Sequence, residues 1–462
     1  MRMDGLLNEL RGAVGAEQVL AGIDLDARYL GDWMTAAPAG TPLAVVRPKT
    51  SAEVSAVMKL CHAARVPVVP QGGLTGLAGG AVPVPGCVAL SLERMSQIDE
   101  IDPAAATLSA HAGTPLQTIQ EAAHAAGFLF PLDLGARGSC RIGGNLSTNA
   151  GGNRVLRYGM TRDLVLGLEV VLADGTVLTH MNKMLKNNTG YDLKQLFIGS
   201  EGTLGVITRV VLRLYPQPRS TCTALCAVDD YAAVLRLLHH VKSSLGGTLS
   251  AFEMMWPDFY ECAIVGLPHL GEPLARGQGG YVLIEAMGTD QTSDQARFEA
   301  VLSEAIEMGC VRDAVVAQNE TDARALWKVR DASGEFHRTF WPHVGFDVSI
   351  PTGQLGDFVA ACKARLTERW PEVETVFFGH VGDANVHIAV RVGRDVQPET
   401  AIEQTVYGLV GEWQGSISAE HGIGLLKRPY LRHSRQPAEL ALMRQIKQAL
   451  DPLGILNPGK VL

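Results

Sequence analysis

The chain lacks any window of 18 or more apolar residues, so no membrane-spanning helix is expected. Its start, MRMDGLLNELRGAVG, has no long apolar core. Its acidic residues and lack of serine argue against a transit peptide, and it reads as an amphipathic helix. Basic charge is in deficit: 40 Lys and Arg against 48 Asp and Glu give −8, and no dense basic run occurs, so no nucleic-acid partner is indicated. The eight cysteines (Cys61, Cys87, Cys140, Cys222, Cys226, Cys262, Cys310 and Cys362) form no dense framework, which makes a reducing cytoplasm the default expectation. Cys222 and Cys226 share strand parity in an apolar run and read as core packing. No internal repeat and no low-complexity linker interrupt the 462 residues, a length that suits two or three domains.

Glycine, by contrast, is abundant. Fifty are present where an average usage of about 7% would give roughly 32, and the excess lies between Gly72 and Gly159. Around it the chain alternates strands and helices. TPLAVVRP and VPVVP read as short strands flanking a helix that Thr50 or Ser51 can cap, with Glu53 in its first turn. CVALSL and ATLSAHAG are further strands, followed by a helix from Pro115 to Ala126. LVLGLEVVLADGTVL predicts a hairpin turning at Asp174-Gly175. After prolines 216 and 218, helices around AAVLRLLHHVKSSL, ARFEAVLSEAIEMG and ARALWKVRDASGEF alternate with strands such as GGYVLIEAMG, which suggests a sheet covered by helices. A helix-rich tail begins near SISAEHGIG.

Three glycine-rich segments stand out together: PQGGLTGLAGG, GSCRIGGNLSTNAGG and GSEGTLGVI. Such loops let backbone approach a ligand closely, and their successive N–H groups make concavities for phosphate. Two nucleotide motifs are excluded. No G-x-G-x-x-G opens a helix after a strand. GILNPGKVL mimics a P-loop, but Val461 stands where the metal-binding Ser or Thr belongs and no helix follows.

FFGHVGDANVHIAV holds two histidines, His380 and His387, around a Gly-Asp-Ala-Asn turn. If its flanks pair as strands, the two lie near the ends of one tight turn, which suits two ligands of one ion. Either histidine alone reads better as an ordinary, satisfied loop residue. SISAEHGIG adds Glu420 and His421. Two His and a Glu with an open fourth position match a catalytic zinc site, with manganese, cobalt or iron as alternatives.

These motifs, with LDLGARGSCRIGGNLSTNAGG, LRYG, NNTGYDLKQLF and the terminal NPGK, resemble the FAD-linked oxidases and dehydrogenases of the vanillyl-alcohol oxidase superfamily. Within it the likeness is to the D-2-hydroxyglutarate dehydrogenase, D-lactate dehydrogenase and glycolate oxidase D-subunit branch, and it covers residues from about 40 to the end. The resemblance implies an α+β fold: an FAD-binding domain of the PCMH type over 1–217, an α/β cap domain with an antiparallel sheet covered by helices over 218–415, and a helical segment, 416–462, returning to the flavin domain. It implies that Pro70, Gln71, Gly72, Gly73, Leu74, Thr75, Gly76 and Leu77 hold the pyrophosphate of FAD. Leu134, Gly135, Ser139, Gly143, Gly144, Thr148, Asn149, Gly151 and Gly152 would line the cofactor. Arg157, Tyr158 and Gly159 would continue that wall, Gly202 and Ile207 would sit near the adenine, and Asn457 would return from the tail. Relatives often have Asn where Leu74 stands. The first loop offers no His tether and relatives with GSC hold FAD without a bond, so non-covalent FAD is expected despite Cys140.

The branch carries G-H-x-G-D-G-N-x-H and E-H-G, whose two His and Glu bind metal. That carries the ligand role to His380, His387 and Glu420, with Ala384 replacing a glycine of the pattern. The implied reaction is oxidation of a D-2-hydroxy acid, such as lactate, malate or 2-hydroxyglutarate. His421 would act as base, Arg330 would grip the substrate carboxylate, and Asn385 would orient ligands or substrate. Relatives specific for 2-hydroxyglutarate add a Thr, a Lys and an Asn where this chain has Gly334, Gly345 and Ala389. A metal-independent flavin oxidase and an electron-relay subunit of a glycolate-oxidase-like complex are the competing readings. The electron acceptor would be an electron-transferring flavoprotein, a quinone or a cytochrome. A homodimer and peripheral membrane attachment stay open.

Overall fold

The computed structural model describes residues 3–34 and 40–462. Residues 1 and 2 of the expected N-terminal helix lie outside the described residues; the helix itself runs Met3–Val14. The described chain forms two compact units. The first comprises 1–152, 159–217 and 420–462, the second 153–158 and 218–419. The chain passes from the first unit to the second at 217/218, the stretch 153–158 joins the second unit, and the tail splits at 419/420 because Ser416 bridges Ser349 and the Ala419 N–H reaches Asp347.

In the first unit a four-stranded sheet has the order Val19–Leu20, Ala44–Val46, Val88–Ser91, Val68–Gln71. Its last three strands are parallel, which requires a crossover, and helix Ser51–Ala64 supplies it. Thr50 caps that helix by accepting from Glu53 N at 3.1 Å, and the Glu53 carboxylate accepts in return from Lys49 N at 2.7 Å. A five-stranded antiparallel sheet holds Val165–Val171 and Val177–His180, the hairpin expected at Asp174-Gly175. The tail contains one α-helix, Pro437–Leu450, and a 3-10 turn, Arg428–His433. It then pairs with the parallel sheet, where Asn457 N donates to Val68 O at 2.8 Å.

The second unit is one seven-stranded sheet, antiparallel throughout: Asp313–Val316, Ser220–Val228, Gly280–Gly288, Leu249–Met255, Val373–Gly379, Asn385–Val392 and Val344–Ser349. Helices pack on it. Pro257–Gly266 and Glu320–Arg330 lie over the core of Leu283, Phe336, Val376, Phe378 and Ala389. Ser220–Val228 is buried along nearly its whole length, which explains its mostly β-branched and apolar composition, Cys222 and Cys226 included.

The turn between Val373–Gly379 and Asn385–Val392 closes through Ala384, whose φ is +73°. An L-residue with a Cβ is disfavoured there by about 1 kcal/mol relative to glycine. Ala384→Gly should therefore raise the stability of the second unit by about 1 kcal/mol, seen in calorimetry as a rise in Tm of roughly 2 °C. An unchanged or lower Tm would show that the turn carries no such strain.

Candidate active site

A cavity of about 410 Å³ opens inside the first unit. The loop Pro70, Gln71, Gly72, Gly73, Leu74, Thr75, Gly76 and Leu77 lines it, as do Leu134, Gly135, Gly143, Gly144, Thr148, Gly151, Gly202 and Ile207. Glu420 and His421 share the same wall. A Cβ on Gly135 or Gly144 would meet nothing within 4 Å, whereas one on Gly73 would fall 2.2 Å from Ser139 O. The glycines thus do two jobs: some leave space, others let loops close on each other. Both suit a cradle for a large polar cofactor with phosphates. Leu74 has φ +57° and packs with Tyr29, Val45 and Ala89. Its side chain serves the core of the unit, so its place in the cradle rests on backbone.

Several residues expected at the cofactor lie outside that wall, each for a visible reason. Ser139 backs the cradle behind Gly73, and its hydroxyl donates to Ala136 O. Asn149 ends helix Ile142–Thr148 with φ +52°, and its side chain accepts from Arg162 N at 2.9 Å. Gly152 is pressed against Asp133, where a Cβ would sit 2.1 Å from its carbonyl oxygen, and Gly159 similarly faces the Asp163 side chain. Asn457 braces two loops by donating to Glu201 O at 2.7 Å and Gly80 O at 3.0 Å. Arg157 and Tyr158 belong to the second unit, where Arg157 Nη1 donates to Met287 O at 2.6 Å. Their polarity in the motif could not reveal that backbone carbonyls claim it.

Glu201, quoted in a glycine motif but assigned no role, lines the cavity. Its carboxylate accepts from Ile423 N at 2.7 Å and Gly424 N at 2.8 Å, which positions the loop that follows His421. Burial pushes its carboxyl up, and those two donors oppose the shift. Cys140 is buried in the wall, with Sγ 3.7 Å from Asn145 Oδ1; burial pushes its thiol up, away from the nucleophilic thiolate.

In the second unit, strand register sets out the remaining residues. Phe378, His387 and Asp347 stand side by side on three strands, their rings or carboxylate on one face. His380 follows the strand end, its ring centroid 5.5 Å from that of His387 at an interplanar angle of 81°. His380 Nδ1 is hydrogen-bonded to Glu253 Oε1 at 2.6 Å, whereas Asp347 Oδ1 lies 3.8 Å from His387 Nδ1, within ion-pair range but beyond a hydrogen bond. Asn385 Nδ2 donates to Asp347 Oδ1 at 2.8 Å. Arg330 is only 7% exposed, so it is no surface helix charge, and its Nε donates to Glu253 Oε2 at 2.7 Å. Burial alone would raise the Glu253 carboxyl; the His380 imidazole and the Arg330 guanidinium overcome it and hold it at about 2. Neither Glu253 nor Asp347 was singled out from sequence. An imidazole hydrogen-bonded to a carboxylate at Nδ1 is the arrangement that orients a histidine toward a metal, so the donor chemistry of His380, with the His387 ring beside it, fits a divalent cation.

Comparison with known proteins agrees with this geometry. The family model described as "FAD linked oxidases, C-terminal domain" matches residues 217–461, and that described as "FAD binding domain" matches residues 42–180. A mitochondrial D-2-hydroxyglutarate dehydrogenase of Arabidopsis thaliana is 40% identical over 432 residues, covering 93% of this chain and 77% of the relative. A D-2-hydroxyglutarate dehydrogenase of Stutzerimonas stutzeri is 36% identical over 463 residues, covering 99% and 98%. Among solved structures, p-cresol methylhydroxylase with substrate bound superimposes with a TM-score of 0.80 at 17% identity over 99% of this chain and 96% of that one, a likeness of fold alone. The expectation of a cytoplasmic protein is corrected by the plant and animal relatives, which are mitochondrial. No helix among the described residues is long and apolar enough to cross a membrane. With both halves matched by family models, and relatives of this identity along nearly its whole length, the chain belongs to the FAD-linked oxidases, in the branch of D-2-hydroxyglutarate and D-lactate dehydrogenases, and FAD is its cofactor.

Proposed function

We propose that the protein oxidises a D-2-hydroxy acid to the 2-oxo acid with the help of a divalent cation. One observation carries the reading: two neighbouring imidazoles, one of them hydrogen-bonded at Nδ1 to a buried carboxylate, stand beside a buried guanidinium in the second unit. The relatives' names support the substrate class. FAD, when bound, would supply the acceptor for the hydride leaving the substrate carbon, and a zinc or manganese ion would supply Lewis-acid polarisation of the substrate hydroxyl. His380, His387 and Glu420 are the residues that would hold the ion. Arg330 takes the substrate carboxylate in a two-pronged grip. His421 accepts the hydroxyl proton at an imidazole nitrogen, a role suited to a group whose unperturbed pKa is about 6.5. The C–H bond breaks as hydride and the O–H bond as a proton, leaving the C=O of the 2-oxo acid. Asn385 holds Asp347 against His387. The two electrons leave through a redox partner: an electron-transferring flavoprotein, a quinone or a cytochrome.

Register also bears on the substrate's side chain. Next to the row of Phe378, His387 and Asp347 lies the row Val376, Ala389 and Gly345, which presents no polar side chain. Arg391, one row further, is already paired with Glu374, with Nε 3.1 Å from Oε1. A Cβ on Gly345 or Gly334 would meet nothing within 4 Å. This arrangement favours a short or apolar side chain, as in lactate, over one ending in a carboxylate.

Dye-coupled turnover of D-2-hydroxy acids should vanish on chelation and return with zinc or manganese, and His387→Ala should abolish it. Full turnover in both the chelated protein and His387→Ala would leave a metal-independent flavin oxidase or an electron relay. Gly345→Lys should shift kcat/KM toward D-2-hydroxyglutarate relative to D-lactate by about tenfold, the value of one charge-assisted hydrogen bond. No shift would remove that row from the substrate site. Acid precipitation should release all the flavin into solution, and Cys140→Ser should bind it at the same ratio. Colour retained in the wild-type pellet and lost from that of the variant would mean a covalent link.

A further inference from the structure

Strand Leu249–Met255 buries Glu253 to 1% exposure between two groups that the proposed reaction uses. Oε1 lies 2.6 Å from His380 Nδ1, and Oε2 accepts from Arg330 Nε at 2.7 Å. Arg330 Nη2 lies 3.4 Å from His380 Nδ1 and 3.2 Å from Nε2, so it sits against the ring and on neither lone pair. A carboxylate only accepts, so Nδ1 must carry the hydrogen that Glu253 receives. A neutral ring then presents its lone pair at Nε2, the form that a metal needs. The same carboxylate takes the Nε side of the Arg330 fork and so fixes the plane of the guanidinium. Register makes this arrangement a property of the sheet: Met254 pairs with Gly379, which sets His380 beside Glu253.

We propose that Glu253 is a positioning residue that couples cation binding to carboxylate recognition, by fixing the His380 tautomer on one oxygen and the Arg330 fork on the other. This rests on the function proposed above. A neutral amide at the position keeps the shape but offers one acceptor and one donor where two acceptors are required. It therefore sets an N–H against either His380 or Arg330.

The test uses the flavin-loaded protein stripped of metal. Cobalt(II) is titrated calorimetrically, and KM and kcat for a D-2-hydroxy acid are measured after reloading. Glu253→Gln should weaken cobalt affinity by about 10- to 100-fold and raise KM, at unchanged flavin content, while Glu253→Asp, which keeps both acceptor oxygens, should recover part of each loss. Unchanged cobalt affinity in Glu253→Gln overturns the proposal. A second measurement needs no variant that must fold: nitrogen-15 chemical shifts of the histidines in the metal-free wild-type protein. His380 should carry its proton on Nδ1, and a proton on Nε2 overturns the proposal. Wild-type protein that takes up no cobalt would refute the metal-assisted reading itself, whereas cobalt uptake unaffected by Glu253→Gln would refute only the positioning role.

Discussion

An ionised carboxylate inside a β-sheet must be met by donors or it destabilises the fold by several kcal/mol. Glu253 is such a group, and the sheet around it is arranged to answer it. Its own strand pairs with Val373–Gly379, which brings His380 alongside, and helix Glu320–Arg330 ends so that its last residue delivers a guanidinium. Both partners are themselves nearly buried, so each satisfies the other's need while being held in one orientation. A structural requirement and a chemical one thus have the same solution. The groups that keep the charge soluble in the core are those that a 2-hydroxy acid and a cation would use.

The first unit solves its problem with backbone. The cavity wall consists largely of loops that approach each other too closely for side chains, as at Gly73 and Gly143. What keeps such loops in place are buried polar side chains reaching carbonyls and amides from afar. Asn457 ties Gly80 to Glu201, Glu201 holds the amides of Ile423 and Gly424, and Lys460 donates to Val82 O at 2.7 Å. The chain's last residues therefore lock the cradle formed by its first hundred and fifty, which explains why a tail with one α-helix belongs to that unit.

Local rules are broken at several places in these sites, Leu74 and Ala384 among them. Leu74 and Ala384 occupy left-handed backbone that favours glycine or asparagine. Leu74 gains contacts with Tyr29 and Val45 in exchange; no contact explains Ala384. Departures of this kind concentrate where loops must take a set path to a ligand, and both lie beside residues with proposed roles.

Glycine spacing, the Asp174-Gly175 hairpin, the helix cap at Thr50 and the paired strands around His380 and His387 were all legible in the sequence, because each depends on residues a few positions apart. So were the family motifs, which name the cofactor and the chemistry expected of His421 and Arg330. The roles of Glu253, Asp347 and Glu201 were not legible. Each is one acidic residue among 48, distinguished only by what long-range pairing places against it. Nor could the motif reveal that the side chains of Arg157 and Asn457 donate to backbone carbonyl groups. Short-range pattern determined which groups the protein owns; tertiary structure alone decided which of them are buried together, and burial is what turns a charge into a constraint on its neighbours.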